Sequence, residues 1–443
     1  MSQVMTAQRP GPKGQKPGPI IAPAPGAGGD FPWSSAADPG FYPDTPPITE
    51  DDYLHRHRLK ESSSAESFSL EPVRPEDEPV IAVLGVGYVG THLVESFSKR
   101  YGVIGFDVSR ARVRQLREEH GGVGIAGKAL DFTDETVKLS AATHFLISVP
   151  TLLRPDRTID SSYLREAVMT VAQVARRGST VVVESSVAVG MTRQILGPII
   201  SGLDDVIPGS LDAIHRVYSS IFDNVVTVSK PEVAEMMKLY ENCQRMVCIA
   251  YANEMADACA PHGIDPYEVC AAAATKPFGY MPYTPGIGVG GHCIPVNPFY
   301  LLSNSSFPLL EAATASMWDR PAKIAERALE SFRDGGEAAA PAARRPRVLV
   351  VGMAFKAGQE SLSNSPGIGV AKHLAISGEV DVQWADALVP QEAIPQIPRL
   401  ADADWNRDVL QTFDLVIVAL QQHKMDFGLL NQLDGVRVEK WCR

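Results

Sequence analysis

The sequence lacks any long hydrophobic run. No stretch of about 18 consecutive apolar residues, the length that a membrane span requires, occurs in it. The first residues, MSQVMTAQRPGPKGQ, also lack the apolar core of a secretory signal. We therefore expect a protein that neither spans a membrane nor is secreted, and the cytoplasm is the expected compartment.

Positive charge and metal-type cysteine spacing are both scarce. The chain has 41 Lys and Arg against 52 Asp and Glu, a formal net charge of -11, which argues against nucleic acid as a partner. None of the six cysteines has the CxxC spacing of a metal site, and four of them fall in one helical stretch. We expect reduced thiols and no metal.

Two regions have the composition of unstructured chain. Residues 1–78 are rich in Pro, Gly, Ser and charge, which predicts a disordered tail. The segment RDGGEAAAPAARRP predicts a linker, placed at 335–346. The remaining chain divides into an α/β domain at 79–229, a helical domain at 230–334 and a second α/β domain at 347–443.

Strand and helix patterns alternate in both outer domains. In the first, the buried run Val80 to Leu84 leads through a glycine turn into a helix ending near Lys99. Three further strand runs are VIGFDV, FLISV and STVVVES, with the helical SSYLREAVMTVAQVARR between the last two. The second has RVLVVGMAF, the helical SPGIGVAKHLAIS, VDVQWA and DLVIVAL. Such alternation predicts parallel sheets.

Between these domains, about thirty residues from Pro231 onward carry apolar residues at spacings of three and four and predict one long helix. Further helices extend to about Glu330, interrupted by a loop from Lys276 to Cys293. The predicted fold class is therefore α/β, with two Rossmann-like doubly wound domains joined by a long central helix and a helical middle domain.

The turn after the first strand carries Gly85, Gly87 and Gly90 in the spacing GxGxxG, and Asp107 ends the next strand. Glycines permit the sharp turn and close contact with a pyrophosphate, and the carboxylate can accept hydrogen bonds from a ribose. This combination predicts a dinucleotide site. Asp107 would repel a 2'-phosphate and so favours NAD over NADP. The alternative is a tight turn without a ligand.

Cys293 lies in the glycine-rich stretch GVGGHCIPVN, residues 288–297. Glycines let backbone and ligand approach closely, and a thiol there is accessible. Beside a nicotinamide, such a thiol can capture an aldehyde as a thiohemiacetal, which is then oxidised to a thioester and hydrolysed. The alternative is a tight loop around a buried cysteine. His292 is expected to be structural or to face the substrate.

Lys238 and Asn242 are four residues apart on the long helix and therefore share one face. An ammonium and an amide there could stabilise an alkoxide or oxyanion if the helix ran beside the cysteine loop. The alternative is an ordinary solvated helix face.

Several motifs together resemble the nucleotide-sugar 6-dehydrogenase (UDP-glucose/GDP-mannose dehydrogenase) family. They are GVGYVG (85–90), SVPT (148–151), ESS (184–186), AEMMKLYEN (234–242), GGHCIPVN (290–297) and GMAFK (352–356). The HCIP form looks more like the branch that acts on UDP-N-acetylhexosamines. The resemblance covers about Val80 to the C-terminus.

The resemblance implies an NAD-dependent enzyme that oxidises the C6 alcohol of a UDP-sugar, either a UDP-N-acetylhexosamine or UDP-glucose, to the UDP-uronate. It uses two NAD per sugar and serves polysaccharide biosynthesis. The first α/β domain then binds NAD and the last binds the UDP-sugar. A homodimer or higher homo-oligomer forms around the long helix.

The resemblance also implies roles for individual residues. Cys293 corresponds to the nucleophile, Lys238 and Asn242 to oxyanion and substrate ligands, and Ser186 to a residue that holds the catalytic water. The cofactor positions are Gly85, Val86, Gly87, Tyr88, Val89, Gly90, Asp107, Arg112, Pro150, Thr151 and Ser186. The substrate positions are Lys238, Asn242, Tyr283, Gly290 and Lys356.

Three departures from the family pattern stand out. Asn297 replaces the aspartate expected four residues after the cysteine, which removes a charge and any general-base role. Ser363 replaces an arginine that reaches the cofactor across the subunit interface. After residue 199, a strand and a Ser-Pro-Glu-Arg loop with a catalytic glutamate are missing, about thirty residues from usual element lengths.

The missing segment leaves two interpretations open. A gene model or splice form skipped coding sequence, or the chain is a non-catalytic relative that binds NAD or dimerises. A two-domain hydroxyacid dehydrogenase is a third alternative, but such enzymes use a lysine without a cysteine nucleophile, and the GGHC loop argues against it.

Overall fold

The computed structural model describes residues 71–74, 76–120, 128–200, 210–334 and 344–442. Most of the predicted tail and of the predicted linker lies outside these residues. The chain divides into two compact units, one ending at Lys238 and the other beginning at Leu239. The division falls inside one long helix. The five-part domain organisation stays a prediction.

The first unit contains one large parallel sheet and its helices. Its elements are β1 (Val80–Leu84), α1 (Tyr88–Phe97), β2 (Gly102–Phe106), α2 (Arg110–His120), β3 (Leu130–Thr133), a 3-10 helix (Thr136–Ala141), β4 (His144–Ile147), β5 (Leu152–Leu153), β6 (Ile159–Asp160), α3 (Ser162–Val174), β7 (Thr180–Val183), α4 (Met191–Ile200), α5 (Ser210–Ser219) and the first part of α6 (Pro231–Cys259).

The five strands of this sheet are ordered β3-β2-β1-β4-β7, and all neighbours pair in parallel. Alternate residues of β1 face opposite sides: Ile81 and Val83 pack with α1, α2 and α5, whereas Ala82 and Leu84 pack with α3 and α4. Both faces of the sheet are therefore covered by helices, which is why its strands are continuous apolar runs. The doubly wound prediction is confirmed.

The second unit repeats this architecture after a group of helices. Following the rest of α6, its elements are a 3-10 helix (Ala260–His262), α7 (Pro266–Ala274), α8 (Asn297–Leu302), α9 (Pro308–Asp334), β8 (Arg347–Val351), α10 (Pro366–Ser377), β9 (Asp381–Ala385), 3-10 helices (Gln391–Ala393 and Asp402–Asp404), α11 (Arg407–Leu410), β10 (Leu415–Val418), a 3-10 helix (Phe427–Gln432) and β11 (Arg437–Lys440). The four strands are ordered β11-β10-β8-β9 and are parallel.

Local signals explain where several helices begin and end. Asp265 caps α7 by accepting a hydrogen bond from the Tyr267 N–H, and Pro266 takes the first helical position. Ser365 caps α10 in the same way, and α10 ends at Gly378, which adopts a left-handed conformation with φ 67°. The Ser365 cap fixes the point at which the loop before α10 ends.

The strands and long helix predicted from the sequence are present, with small shifts at their ends. The structure adds β3, the short antiparallel pair β5–β6 and β11, which sequence patterns did not indicate. Between Ile200 and Asn224 it forms α5, and residues 201–209 lie outside the described part.

Strand β7 forms one edge of the first sheet. Within the described residues it pairs with β4 and with no other strand. The strand expected to follow α4 in the family would belong at this edge. The missing segment itself stays a prediction.

None of the helices in the described ranges is both long and apolar enough to cross a membrane. In the same ranges, no three His, Cys, Asp or Glu side chains are grouped as they would be to hold a metal ion.

His144 is a buried titratable group in the first sheet. It begins β4, and its Nδ1 lies 2.8 Å from Thr143 Oγ1. Burial, with a smaller contribution from the charge of Arg216 in α5, lowers its pKa from 6.5 to about 4. The folded chain keeps the imidazole neutral, whereas the unfolded chain takes up a proton as the pH falls below 6.5. This stability is therefore complete above pH 6.5 and is lost as the pH falls towards 4.

We expect the free energy of unfolding to fall by about 3 kcal/mol between pH 6.5 and 4 because of His144. His144→Gln should lack this part of the pH dependence, and urea unfolding between pH 7 and 4.5 would measure it. His262→Gln, at an exposed histidine, should keep the wild-type dependence. Parallel curves for the wild type and His144→Gln would contradict the assignment.

Candidate active site

The turn after β1 accepts only glycine at two positions. Gly85 has φ +87°, and a Cβ there would lie 2.6 Å from the Ser148 carbonyl oxygen. A Cβ on Gly90, in the first turn of α1, would lie 1.9 Å from the Gly85 carbonyl oxygen. The helix can begin this close to the strand only without those side chains.

The start of α1 is open. Gly87 is the N-cap residue, carries no capping side chain, and has free space where a Cβ would stand. Tyr88 and Val89 are exposed. A helix N-terminus with uncapped amide groups and room in front of it is the arrangement that binds a pyrophosphate.

Asp107 and Arg112 both hold the peptide of Val86. Asp107 directly follows β2, and its Oδ2 accepts a hydrogen bond from the Val86 N–H at 3.1 Å, while its Oδ1 accepts one from Ser109 at 2.9 Å. The Nε–H of Arg112 donates to the Val86 carbonyl at 3.0 Å. Each carboxylate oxygen keeps further acceptor capacity, so the ribose of a dinucleotide fits here.

The carboxyl ends of β4 and β7 bring two other predicted positions together. Thr151 Oγ1 donates a hydrogen bond to the Ser186 carbonyl oxygen at 2.8 Å. The neighbouring Ser185 hydroxyl donates to the Val149 carbonyl at 2.7 Å. Pro150, between these contacts, is exposed. These hydrogen bonds join the loop after β4 to the loop after β7. Strand β4 pairs directly with β1, which precedes the glycine turn.

Glu235 is a buried acid that sequence reasoning missed. Its Oε2 accepts a hydrogen bond from the Gly190 N–H at 2.5 Å and its Oε1 one from the Thr192 N–H at 3.0 Å. The carboxylate therefore caps the N-terminus of α4 from the first part of α6. Its partners are more than 40 residues away in the sequence, and no local pattern marks such a cap.

In the second unit, Cys293 is exposed, and it is the one exposed residue among the six cysteines. Its carbonyl oxygen accepts hydrogen bonds from Val296 and Asn297, at 3.2 and 2.9 Å, in the turn that leads into α8. By contrast, burial raises the pKa of the Cys243 thiol to about 12. The accessible-thiol interpretation of the loop agrees with this exposure.

The glycines before Cys293 pack against the segment after β8. A Cβ on Gly290 would lie 2.8 Å from Phe355 Cβ, and one on Gly291 would lie 3.0 Å from the Phe355 ring. Gly291 also donates its N–H to the Ser363 carbonyl at 2.8 Å. The contact at Ser363 is made by its backbone, and the predicted replacement of an arginine at this position stays a prediction.

His292 packs its ring edge-on to Phe355, with centroids 6.2 Å apart. Partial burial lowers the pKa of His292, although the residue is exposed at the surface. Its structural or substrate-facing role stays a prediction.

Asn242 and Asn297 form a buried amide pair. Asn242 lies on α6 and Asn297 begins α8, and both side chains are at most 2% exposed. The Asn242 Nδ2–H donates to Asn297 Oδ1. Asn297 therefore orients the amide of Asn242, and as a neutral group it adds no negative charge near Cys293. Lys238 lies one helical turn before Asn242, in the first unit, and is half-buried.

A cavity of about 200 Å³ lies between the cysteine loop and the carboxyl edge of the second sheet. Its lining includes Thr284 to Gly288 and Gly290 of the loop, Gly352 after β8, the N-terminus of α10 and Trp441 after β11. Ligands of parallel α/β sheets bind at this edge. Of the predicted substrate positions, Gly290 lines the cavity, whereas Tyr283 and Lys356 lie next in sequence to its lining residues Thr284 and Phe355, and Lys356 is exposed.

Asp386 occupies in the second sheet the place that Asp107 has in the first. It follows β9 directly and is almost fully buried. Its Oδ2 accepts hydrogen bonds from Met353 and Ala354, at 2.8 and 3.1 Å, and its Oδ1 from Leu388 at 2.9 Å. The second turn thus uses its carboxylate inside the fold.

The comparisons with known proteins agree with this geometry. Residues 80–235 match the NAD binding domain of the UDP-glucose/GDP-mannose dehydrogenase family, and residues 232–318 match its central domain. Over 341 residues the chain is 31% identical to the UDP-N-acetyl-D-mannosamine dehydrogenase of Pyrococcus horikoshii, covering 65% of this chain and 79% of that protein.

Two further relatives extend the comparison. The UDP-N-acetyl-D-glucosamine 6-dehydrogenase of Salmonella typhi is 29% identical to this chain over 364 residues, covering 70% of this chain and 84% of that protein. A solved structure of the UDP-D-ManNAc dehydrogenase from Pyrococcus horikoshii superimposes with a TM-score of 0.68 at 25% identity, covering 82% of this chain and 99% of that one. The chain therefore belongs to the UDP-glucose/GDP-mannose dehydrogenase family of NAD-dependent oxidoreductases.

Proposed function

We propose that this chain oxidises the C6 alcohol of a UDP-N-acetylhexosamine to the UDP-uronate, with UDP-glucose as the second substrate to test. The observation that carries this proposal is the exposed Cys293 in a glycine loop that lines a cavity at the carboxyl edge of the second sheet. The names of the similar proteins, which act on UDP-N-acetyl-D-mannosamine and UDP-N-acetyl-D-glucosamine, support the choice of sugar.

Two NAD molecules, bound one after the other, would each accept one hydride in the two oxidations. After the first oxidation, the Cys293 sulfur bonds to the C6 aldehyde carbon, and the thiol proton passes to the aldehyde oxygen to give a thiohemiacetal. In the second oxidation the C6 hydrogen would leave as a hydride to the second NAD and the hydroxyl proton would pass to water, which leaves a thioester. Water then adds to the thioester carbon, the C–S bond breaks, and the sulfur regains its proton.

The remaining predicted residues orient the reacting groups. Asn242, held by Asn297, is an amide donor suited to the oxygen that gains charge in the additions to C6, and Lys238 is the cationic donor of the pair. Asn297 has no carboxylate and cannot take a proton from the hydrolytic water. We therefore propose that Asn297 is a positioning residue and that thioester hydrolysis is the slower half of the reaction.

Cys293→Ala should abolish formation of the UDP-uronate from any accepted UDP-sugar, because no thioester can form. NADH production with UDP-N-acetylglucosamine, UDP-N-acetylmannosamine and UDP-glucose, together with chromatography of the nucleotide sugars, measures this. Cys248→Ala, the same change at a half-buried cysteine of α6, should retain turnover. Full activity of Cys293→Ala would refute the thioester route.

Asp107→Asn should weaken NAD binding by about tenfold and reduce the preference for NAD over NADP, because the charge that repels a 2'-phosphate is removed. Titration calorimetry measures both affinities without requiring turnover. Asp131→Asn, at an acid that pairs with Lys138 at 3.0 Å, is the matched control and should bind NAD as the wild type does. An unchanged preference in Asp107→Asn would place the ribose elsewhere.

We also propose that the chain forms a homodimer through α6 and α7. Met237, Tyr240, Tyr251 and Met255 follow one stripe of α6 and are exposed, with Tyr251 64% exposed. No residue of α7 is buried, although the helix is composed largely of Val, Cys and Ala. An apolar stripe of this length is typical of a surface covered by a partner.

Tyr251→Glu should shift the chain towards the mass of one copy, 47.8 kDa, in light scattering after gel filtration, since a buried carboxylate opposes the contact. Ile376→Glu, at an exposed apolar residue on α10, should leave the oligomer intact. A wild-type chain that is monomeric at micromolar concentration, or a Tyr251→Glu dimer, would exclude this interface.

A second candidate function is that of a non-catalytic relative that binds NAD or dimerises with an active paralogue. The observation that favours it is the edge position of β7, which has one strand neighbour among the described residues. Calorimetric binding of NAD without NADH production from any nucleotide sugar would support it. Sequencing transcripts across Pro198 to Gly202 would separate a skipped segment from a genuine loss.

A further inference from the structure

The loop that carries Cys293 is held on both sides by one turn of α9. Before the cysteine, the Arg320 Nε–H donates to the Gly286 carbonyl at 2.8 Å. After it, the Trp318 Nε1–H donates to the Pro295 carbonyl at 3.3 Å. The two anchored peptides therefore bracket Cys293 and are attached to positions two residues apart on a single helix.

The turn also touches the middle of the loop. A Cβ on Gly288, which has φ +149°, would lie 3.3 Å from the ring of Pro321. A side chain on Gly288 would crowd both this ring and Pro366 of α10, which would lie 3.2 Å from its Cβ. A proline ring at this position is rigid, so the contact has a fixed geometry.

Arg320 is itself fixed by α6. The side chain is 4% exposed, and its two terminal nitrogens reach the two Asp257 carboxylate oxygens at 2.8 and 3.2 Å. Such a bidentate pair sets the plane of the guanidinium and thereby the direction of its Nε–H. The Asp257 carboxylate also pairs with Arg327, at 3.1 Å. Within the part of the chain that the structure describes, Arg327 donates to Asp257 and not to the loop.

The backbone N–H of Gly286 is held as well. Its N–H donates to Asn253 Oδ1 at 2.8 Å, and Asn253, which is fully buried on α6, places its amide nitrogen 3.2 Å from the Met317 sulfur. Both backbone polar groups of Gly286 are thus used, the N–H by a side chain of α6 and the carbonyl by a side chain of α9. The peptides on both sides of Gly286 are therefore held.

We propose that Trp318 and Arg320 are positioning residues, which set the place of the Cys293 sulfur through the Gly286 and Pro295 peptides. The proposal rests on the function assigned to Cys293 above. A thiol that attacks carbon must be held to within a fraction of an ångström, and a misplacement of about 1 Å can cost about a hundredfold in rate. An exposed loop rich in glycine has no such rigidity of its own.

The sharpest test is Trp318→Phe, which removes the indole N–H but keeps an aromatic ring against Phe299, 5.9 Å away in the wild type. Trp405→Phe is its matched control, since Trp405 also donates to a backbone carbonyl, at 3.0 Å, and also packs on a phenylalanine, at 5.8 Å, but away from the loop. Arg320→Lys, with Arg327→Lys as control, forms a second matched pair.

Two readouts separate positioning from plain stability. We expect Trp318→Phe and Arg320→Lys to lower kcat by about tenfold with the KM for NAD unchanged, and both controls to match the wild type. The rate at which iodoacetamide alkylates Cys293, followed by mass spectrometry of its peptide, should change at least threefold in the same two variants only. Melting temperatures verify that each variant folds.

The alkylation rate does not require turnover, so it tests the positioning even if the wild type oxidises none of the UDP-sugars. In that case the proposed function fails and the positioning is judged by alkylation alone. Alkylation and kcat in Trp318→Phe equal to those in Trp405→Phe would overturn the proposal. If Trp318→Phe failed to fold while Trp405→Phe folded, this turn of α9 would serve stability and not positioning. That result would also overturn the proposal.

Discussion

Both sheets depend on one constraint: a helix must begin almost in contact with the strand that precedes it. In the first unit, a Cβ on Gly90 would stand 1.9 Å from the Gly85 carbonyl oxygen, and in the second, one on Gly367 would stand 2.4 Å from that of Gly352. Real side chains do not approach so closely. Glycine at these positions lets α1 and α10 pack onto β1 and β8, and the loops at the carboxyl edges take their places around that contact.

The two sheets use this shared construction differently. In the first, the acid after the second strand is half-buried and fixes the Val86 peptide together with Arg112, while α1 begins in open space. In the second, the loop before Cys293 packs against Phe355 and leaves the small cavity at the sheet edge. One domain is thus built for a dinucleotide, and the other supports the loop that carries the thiol.

The sequence predicted the elements whose signals are local. The run Val80 to Leu84, the glycine turn and the long helix from Pro231 each follow from patterns within a few residues. Strand β11 was not predicted, because RVEK is half exposed and has no apolar run. The support of the cysteine loop was also missed, since Arg320 meets Asp257 across 63 residues and Asn253 meets Gly286 across 33. Such pairs exist only once the helices have packed.

The saturated carboxylate of Asp386 has a consequence for redesign. Its oxygens are committed to peptide N–H groups on both sides of the turn after β8, so the acid works as an internal brace. Copying the glycine pattern of the first turn into the second would not create a nucleotide pocket. A ribose hydroxyl would have to displace the peptide N–H groups from the Asp386 carboxylate, and these buried donors would then lose their acceptor. The turn after β8 would have to be rebuilt before the Asp386 carboxylate could bind a ligand.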